Sequence, residues 1–172
     1  MKAIITLLCA SILFVSCQPQ QDNSANEAFE KNSKTALANI KGFQNENLDY
    51  SMYADDFILR DTGFNGKDSI DKETMVKYDK ELWKSYDFKM LTEPVLLPGV
   101  NTETKQPDGS VRHYSDWEVT RTATDSTEAK SGVIKLYESF DFNTEGKIIF
   151  QQTYGDFTGL MTYLNSNGGN DM

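Results

Sequence analysis

The residues from Lys130 to Asp156 constrain the fold most, because they alternate between apolar and polar side chains as a long antiparallel hairpin does. The turn sequence Asn143-Thr144-Glu145-Gly146 separates its two strands. The positions predicted to face inward are Ile134, Leu136, Glu138, Phe140, Phe142, Ile148, Phe150, Gln152 and Tyr154. Since Glu138 is in phase with apolar neighbours, we expect its carboxyl group to point into the space that they enclose.

The first 17 residues have the pattern of a secretory signal. Met1-Lys2 is a short basic start, an apolar run extends from Ala3 to Phe14, and small residues precede Cys17. The apolar run is shorter than the roughly 20 residues that a transmembrane helix needs. The segment resembles the lipobox of bacterial lipoproteins, although phenylalanine stands at position 14, where leucine is usual. We therefore expect residues 1–16 to be removed and Cys17 to carry a lipid. The lipid would hold the protein on a membrane of the bacterial cell envelope, facing the periplasm or the surface.

Charge and cysteine content narrow the possible partners. Cys9 lies inside the predicted signal, so the mature chain keeps Cys17 alone and has no internal disulfide. The net charge is −9, and loss of Lys2 with the signal makes it −10. An acidic surface of this kind repels nucleic acid and anionic membrane surfaces, which excludes both as expected binding partners. The remaining length suits one domain with a packed core.

The order of elements predicts an α+β fold. Residues 17–26 are polar and predict a flexible tether, residues 27–164 form one domain, and residues 165–172 are a disordered tail. Helical spacing predicts a first helix that ends near Gly42, a second over Glu46 to Tyr53, and a third that begins at Asp68 or Ser69. Long strands and a short closing helix follow. We expect a cone-shaped, curved antiparallel sheet packed on the three N-terminal helices.

Several segments resemble the nuclear transport factor 2-like, or SnoaL-like, superfamily over roughly residues 27–164. They are Tyr53-Ala54-Asp55-Asp56-Phe57 before a strand, the glycine loop before the third helix, and FDFNTEGKII before the last strand. The resemblance implies a curved sheet wrapped round helices, with a mostly apolar pocket at one end. The superfamily includes isomerases, cyclases, hydrolases, dehydratases and non-catalytic binding domains, so it implies a fold more than a function.

The ketosteroid isomerase branch of that superfamily implies two candidate catalytic residues. MYADDFILRDT matches its YADDATVEDP pattern and places Asp61 at the proton-shuttling base. ESFDF places Glu138 where the branch has an aspartic acid that donates a hydrogen bond to the enolate. Carboxyl groups in an apolar cavity titrate nearer to neutral pH, as such chemistry requires. Leu37 falls where the branch has its oxyanion-hole tyrosine and cannot donate, which argues against a steroid-type isomerase.

Each candidate residue also has a structural interpretation. Glu138 is equally consistent with an ion pair to Arg112, Arg121 or Lys135. Asp61 begins the turn sequence Asp61-Thr62-Gly63, and His113 has the phase of a packed strand residue. The residues that we expect to line the pocket are Phe57, Leu59, His113, Trp117, Leu136, Phe140 and Tyr154. No spacing matches a zinc or calcium site or a phosphate loop, so we expect no metal and no cofactor.

Three functional hypotheses follow. The first is a lipid-anchored pocket protein of the cell envelope that binds a small apolar molecule, with no catalysis required. The second is an isomerase-, cyclase- or dehydratase-type enzyme that uses Asp61 and Glu138 for proton transfer. The third is a homodimeric interaction module whose outer sheet face carries Tyr114, Tyr137 and Ile149. An enzyme of the second kind requires both acids to meet in one cavity.

Overall fold

The structure, a computed structural model, describes residues 23–166 as three α-helices and a seven-stranded sheet. The predicted signal, Cys17, most of the predicted tether and residues 167–172 lie outside the described residues. The helices are α1 (Ser24–Gln44), α2 (Lys72–Leu82) and α3 (Phe157–Asn165). The strands are β1 (Tyr53–Arg60), β2 (Ile70–Asp71), β3 (Tyr86–Met90), β4 (Val95–Val100), β5 (Pro107–Arg121), β6 (Lys130–Phe142) and β7 (Ile148–Tyr154). Within residues 23–166, no helix is both long enough and apolar enough to cross a membrane.

The sheet is curved and mixed, with strand order β2-β1-β7-β6-β5-β3, and β4 also pairs with β5. The predicted α+β class and curved sheet are confirmed. Strands β5, β6 and β7 follow one another in the chain and pair antiparallel, as the hairpin pattern predicts. The prediction of a purely antiparallel sheet is wrong at one pair, since β1 runs parallel to β7. These two strands are distant in sequence, so no hairpin fixes their relative direction.

The helices differ from the predicted ones in number and in their ends. The predicted helix over Glu46 to Tyr53 is only a 3₁₀ turn, Tyr50–Met52, because Tyr53 already pairs with Ile148 of β7. Helix α1 begins at Ser24, inside the segment predicted as tether. Helix α2 is capped by Asp71, whose side chain accepts a hydrogen bond from the Thr74 N–H at 2.8 Å. Two helices therefore precede the long strands, and α3 follows them.

The inner face of β5 and β6 matches the predicted alternation. Val111, His113, Ser115, Trp117 and Val119 are all buried on β5, and Ile134, Glu138 and Phe140 are buried on β6. The register places His113 directly opposite Glu138. Helix α1 covers this face with Ala36 and Ile40, which are buried in the same core. The buried face of the sheet is thus apolar except at a few adjoining positions.

A β-bulge changes the alternation in β7. Ile148 pairs with Phe142, but Phe150 pairs with Asp141, so Ile149 is an extra residue in this strand. The predicted inward position of Ile148 is correct, and Ile148 is fully buried. Beyond the bulge the two faces exchange, which turns Gln151 and Thr153 toward the inside of the sheet.

Three tyrosines form a row on the outer face of the sheet. Tyr114 pairs with Tyr137, and Tyr137 pairs with Tyr154. The ring centroids are 5.0 Å and 6.0 Å apart, and both end members of the row are exposed. Self-association through this face stays a prediction.

Candidate functional site

A cavity of about 350 Å³ lies between the inner face of the sheet and the three helices. Its apolar wall consists of Ile40, Phe43, Leu48, Leu59, Met75, Leu82, Phe88, Trp117, Val119, Ile134, Leu136, Phe157 and Met161. Its polar wall consists of Asn39, Tyr53, Asp79, Glu138, Gln151 and Thr153. Cavities of this size with few polar groups are typical of small-molecule sites.

Glu138 is held in the cavity wall by neighbours on both adjacent strands. Its Oε1 accepts hydrogen bonds from Gln151 Nε2 at 2.7 Å and from Thr153 Oγ1 at 2.9 Å. Its Oε2 lies 3.2 Å from His113 Nδ1. The two donors on β7 face inward only because of the bulge at Ile149. These contacts fix the orientation of the carboxyl group.

His113 lies behind Glu138 and outside the cavity wall. Its side chain is completely buried, and its contact with Glu138 joins the directly paired positions of β5 and β6. Within the described residues, Nε2 of His113 has no hydrogen-bond partner. The ring therefore supports Glu138 from outside the cavity.

Tyr53 connects α1 to the polar wall. Its hydroxyl accepts a hydrogen bond from Asn39 Nδ2 at 2.6 Å and donates one to Gln151 Oε1 at 3.1 Å. Gln151 in turn donates to Glu138, so the four side chains form a continuous chain of hydrogen bonds. Burial raises the pKa of the Tyr53 phenol well above its usual value, which keeps the hydroxyl protonated as a donor.

Asp79 of α2 is the second acid in the cavity wall. It is 8 % exposed, and its Oδ2 accepts a hydrogen bond from the Tyr50 hydroxyl at 3.0 Å. Within residues 23–166, no group donates to its other oxygen, Oδ1. Burial, together with the negative charge of Glu138, raises the pKa of Asp79 to about 6, although the hydrogen bond from Tyr50 acts in the opposite direction. This carboxyl group exchanges its proton close to neutral pH.

Asp61, the predicted base, does not line the cavity. Strand β1 ends at Arg60, and Asp61 is exposed in the loop that follows. Its Oδ1 accepts a hydrogen bond from the Gly63 N–H at 2.8 Å, and its own N–H donates to the Lys67 carbonyl at 2.9 Å. Asp61 therefore has the turn geometry that its sequence also allowed, and the prediction of a pocket role is wrong for this residue.

The other predicted site residues divide into three groups. Leu59, Trp117, Leu136 and Glu138 line the cavity as predicted. Phe57, His113 and Phe140 are buried in the core but do not reach the cavity. Tyr154 is on the outer face because the bulge reverses the phase of β7. The alternative interpretation of Glu138, an ion pair to Arg112, Arg121 or Lys135, is not seen among the described residues, where Arg112 pairs with Asp141 at 3.0 Å.

The sequence carried a signal for Asp79 that the prediction missed. Met75, Asp79 and Leu82 are spaced four and three residues apart, so the acid lies on the apolar face of α2. Asn39 lies three residues after Ala36 and four before Phe43, so it is likewise on the apolar face of α1. Gln151 and Thr153 had no comparable signal, because no local pattern marks the bulge. Among residues 23–166, no three His, Cys, Asp or Glu side chains are grouped so that they could hold a metal ion.

The fold is shared with several solved structures of low sequence identity. A protein from Silicibacter sp. TM1040 assigned as a polyketide cyclase is 19 % identical, with 81 % of this chain and 98 % of that chain covered and a TM-score of 0.61. A SnoaL-like protein from Shewanella denitrificans OS-217, also assigned as a polyketide cyclase, is 14 % identical over 77 % of this chain and 95 % of its own, with a TM-score of 0.53.

An LEH-like epoxide hydrolase from M. tuberculosis is 13 % identical over 78 % of this chain and 90 % of its own, with a TM-score of 0.54. No protein-family model matches the sequence, and no curated protein matches it. At these identities the similarity concerns the backbone fold alone. The chain has the nuclear transport factor 2-like, SnoaL-like fold.

Proposed function

We propose that the protein binds a small, largely apolar molecule in the cavity and holds the polar group of that molecule against Asp79 and Glu138. The observation that carries this proposal is an apolar cavity of about 350 Å³ with two carboxyl groups in its wall. Apolar side chains supply the contact area for a ligand, and a few fixed polar groups orient it. Glu138 is fixed by three neighbours, and Asp79 keeps one oxygen available for a ligand.

A second candidate is an isomerase-, cyclase- or dehydratase-type enzyme in which Asp79, rather than Asp61, partners Glu138. The observation in its favour is the pKa of Asp79, which is raised to about 6 in a group that faces the cavity. A carboxyl group of this kind accepts or donates a proton efficiently near neutral pH. Tyr53 would donate a hydrogen bond to a developing oxyanion if its bond to Gln151 opened.

Titration with a panel of hydrophobic carbonyl compounds and amines tests both candidates. Trp117 lines the cavity, so its fluorescence reports occupation. We expect Asp79→Asn and Glu138→Gln to change the affinity for compounds that bind the wild type, and Asp61→Asn to leave it unchanged. Exchange of the ligand's α-proton for deuterium, followed by NMR, separates the candidates. If the wild type exchanges the α-proton and Asp79→Asn does not, the enzyme is supported. If the ligand binds without exchange of its α-proton, the binding protein without catalysis is supported. If no compound binds the wild type, neither candidate stands.

We also propose that Cys17 is lipidated and anchors the domain to a membrane of the bacterial cell envelope. The support is the sequence of residues 1–17, with its basic start, short apolar run and small residues before the cysteine. Mass spectrometry of the protein from a bacterial membrane fraction should show an N-terminal lipidated Cys17. The Cys17→Ser variant should lose the lipid, and Cys9→Ser is the matched control. An unmodified Cys17 in the mature wild-type protein would rule out the anchor.

A further inference from the structure

The charges around the cavity are unbalanced. Two acids line it, and among the described lining residues there is no lysine or arginine. Lys72, at the start of α2, is not among the lining residues. Its amino group donates to the Tyr53 carbonyl at 3.1 Å and lies 3.9 Å from the Asp55 carboxyl group. A buried negative charge without a counter-charge is costly, so a ligand that supplies one gains affinity.

The two acids are not equivalent in this respect. Glu138 has His113 on one oxygen and two hydrogen-bond donors on the other. Asp79 has, among the described residues, only the neutral hydroxyl of Tyr50 as a donor, on Oδ2. Asp79 is more than nine-tenths buried, and within the described part of the chain its Oδ1 has no donor. The free acceptor in the wall thus belongs to Asp79, the acid with fewer hydrogen-bond donors.

Aromatic rings in the cavity wall favour the same kind of ligand. Phe43, Tyr53, Phe88 and Trp117 all line the cavity. The faces of such rings attract a cation, and more strongly where water is excluded. An apolar body carrying one positive charge matches this combination of rings and acids.

We propose that the ligand is a lipophilic amine, whose ammonium N–H donates to Oδ1 of Asp79 while its apolar body fills the cavity. This inference rests on the proposed binding function and names its ligand class. A carboxylate of the same shape would be repelled by both acids. A neutral alcohol or ketone would leave the charge of Asp79 buried without a counter-charge.

Calorimetric titration of the full chain with matched ligands tests the inference. The series is 2-phenylethylamine, 2-phenylethanol and phenylacetate, together with the corresponding naphthyl compounds. At about pH 7.5, where the amine is charged, we expect the amine to bind about tenfold or more tightly than the alcohol, and the carboxylate to bind weakest. The Asp79→Asn variant should lose most of the amine preference, so that amine and alcohol bind with similar affinities. Asp87→Asn, at an exposed position of β3, is the matched control and should change neither.

A second measurement uses the wild type alone. At about pH 4.5, Asp79 is protonated, since its pKa lies at about 6. The amine preference should therefore shrink toward one, with Glu138, His113, Tyr50 and Tyr53 as the other titratable groups in or beside the wall. Equal affinities for amine and alcohol at pH 7.5 would overturn the amine inference while supporting the binding function. Absence of binding by all three classes would overturn both.

Discussion

Asp79 makes a quantitative prediction about stability and pH. Its pKa rises from 3.8 to about 6 on folding because the group is buried near Glu138. Such a rise corresponds to about 3 kcal/mol of differential free energy between the charged and the neutral form. Because the folded pKa exceeds the unfolded one, the folded protein binds this proton more tightly. The charge of Asp79 therefore does not destabilise the fold below about pH 4. The destabilisation grows as the pH rises from the unfolded pKa to the folded pKa and is complete above about pH 6.

The Asp79→Asn variant removes that charge and keeps an acceptor for Tyr50. We expect the variant to be more stable than the wild type by about 1 to 3 kcal/mol at pH 7.5, and the advantage to fall by about 3 kcal/mol by pH 4. We expect less than the full value of about 3 kcal/mol that corresponds to the pKa rise, because the variant buries an amide nitrogen in place of a carboxyl oxygen. Urea unfolding of both proteins at several pH values between 4 and 7.5 measures the difference.

Asp87→Asn is the control, because Asp87 is exposed and its replacement should give a small difference at every pH. A stability difference between wild type and Asp79→Asn that is the same at pH 4 and pH 7.5 would contradict a raised pKa of Asp79. A wild type that is the more stable protein at pH 7.5 would also contradict it, since the buried charge would then be stabilising.

Three further predictions concern the support of Glu138 and the loop of Asp61. Gln151→Leu removes the acceptor of the Tyr53 hydroxyl proton and one of the two β7 donors to the Glu138 carboxyl, so urea unfolding should show a loss of stability of about 1 to 3 kcal/mol. His113 is the only histidine, so its imidazole ¹⁵N signals need no assignment; Glu138→Gln should shift them, and Glu93→Gln, at an exposed position, should not. Gly66→Ala brings a Cβ within 2.4 Å of the Asp61 carbonyl oxygen and should destabilise the loop by about 1 to 3 kcal/mol without changing ligand affinity.

The sequence predicted those parts of the fold that depend on a local period. The alternation of β5 and β6 placed Trp117, Leu136 and Glu138 on the inner face, and all three line the cavity. The direction of β1 relative to β7 could not be obtained in this way, because it depends on contacts between segments far apart in the chain. The prediction of a helix over Glu46 to Tyr53 was wrong for a related reason. The pairing of Tyr53 with Ile148, which is distant in sequence, outweighs the local helical spacing.

The candidate site was predicted only in part, and each error has a physical cause. Asp61 was placed by its resemblance to an isomerase motif, but the strand ends one residue earlier and the side chain closes a turn. Tyr154 was placed by continuing a period of two through β7, which the extra residue Ile149 interrupts. Asp79 has the spacing of a buried helix position, yet aspartate is seldom buried, so its polarity concealed its place in the helix.

Several exceptions to ordinary packing rules lie in or beside the cavity wall. Asp79 is an acid on an apolar helix face, and Glu138 is an acid on an apolar sheet face. His113 has an unpartnered ring nitrogen beside Glu138, and the bulge at Ile149 turns two further polar side chains toward the same point. Leucine in place of Asp79 would fill an apolar face without burying a charge, so stability alone does not account for the acid. Costs of this kind, gathered around one cavity, are typical of a site retained for its chemistry, and this is why Asp79 and Glu138 carry the functional proposals.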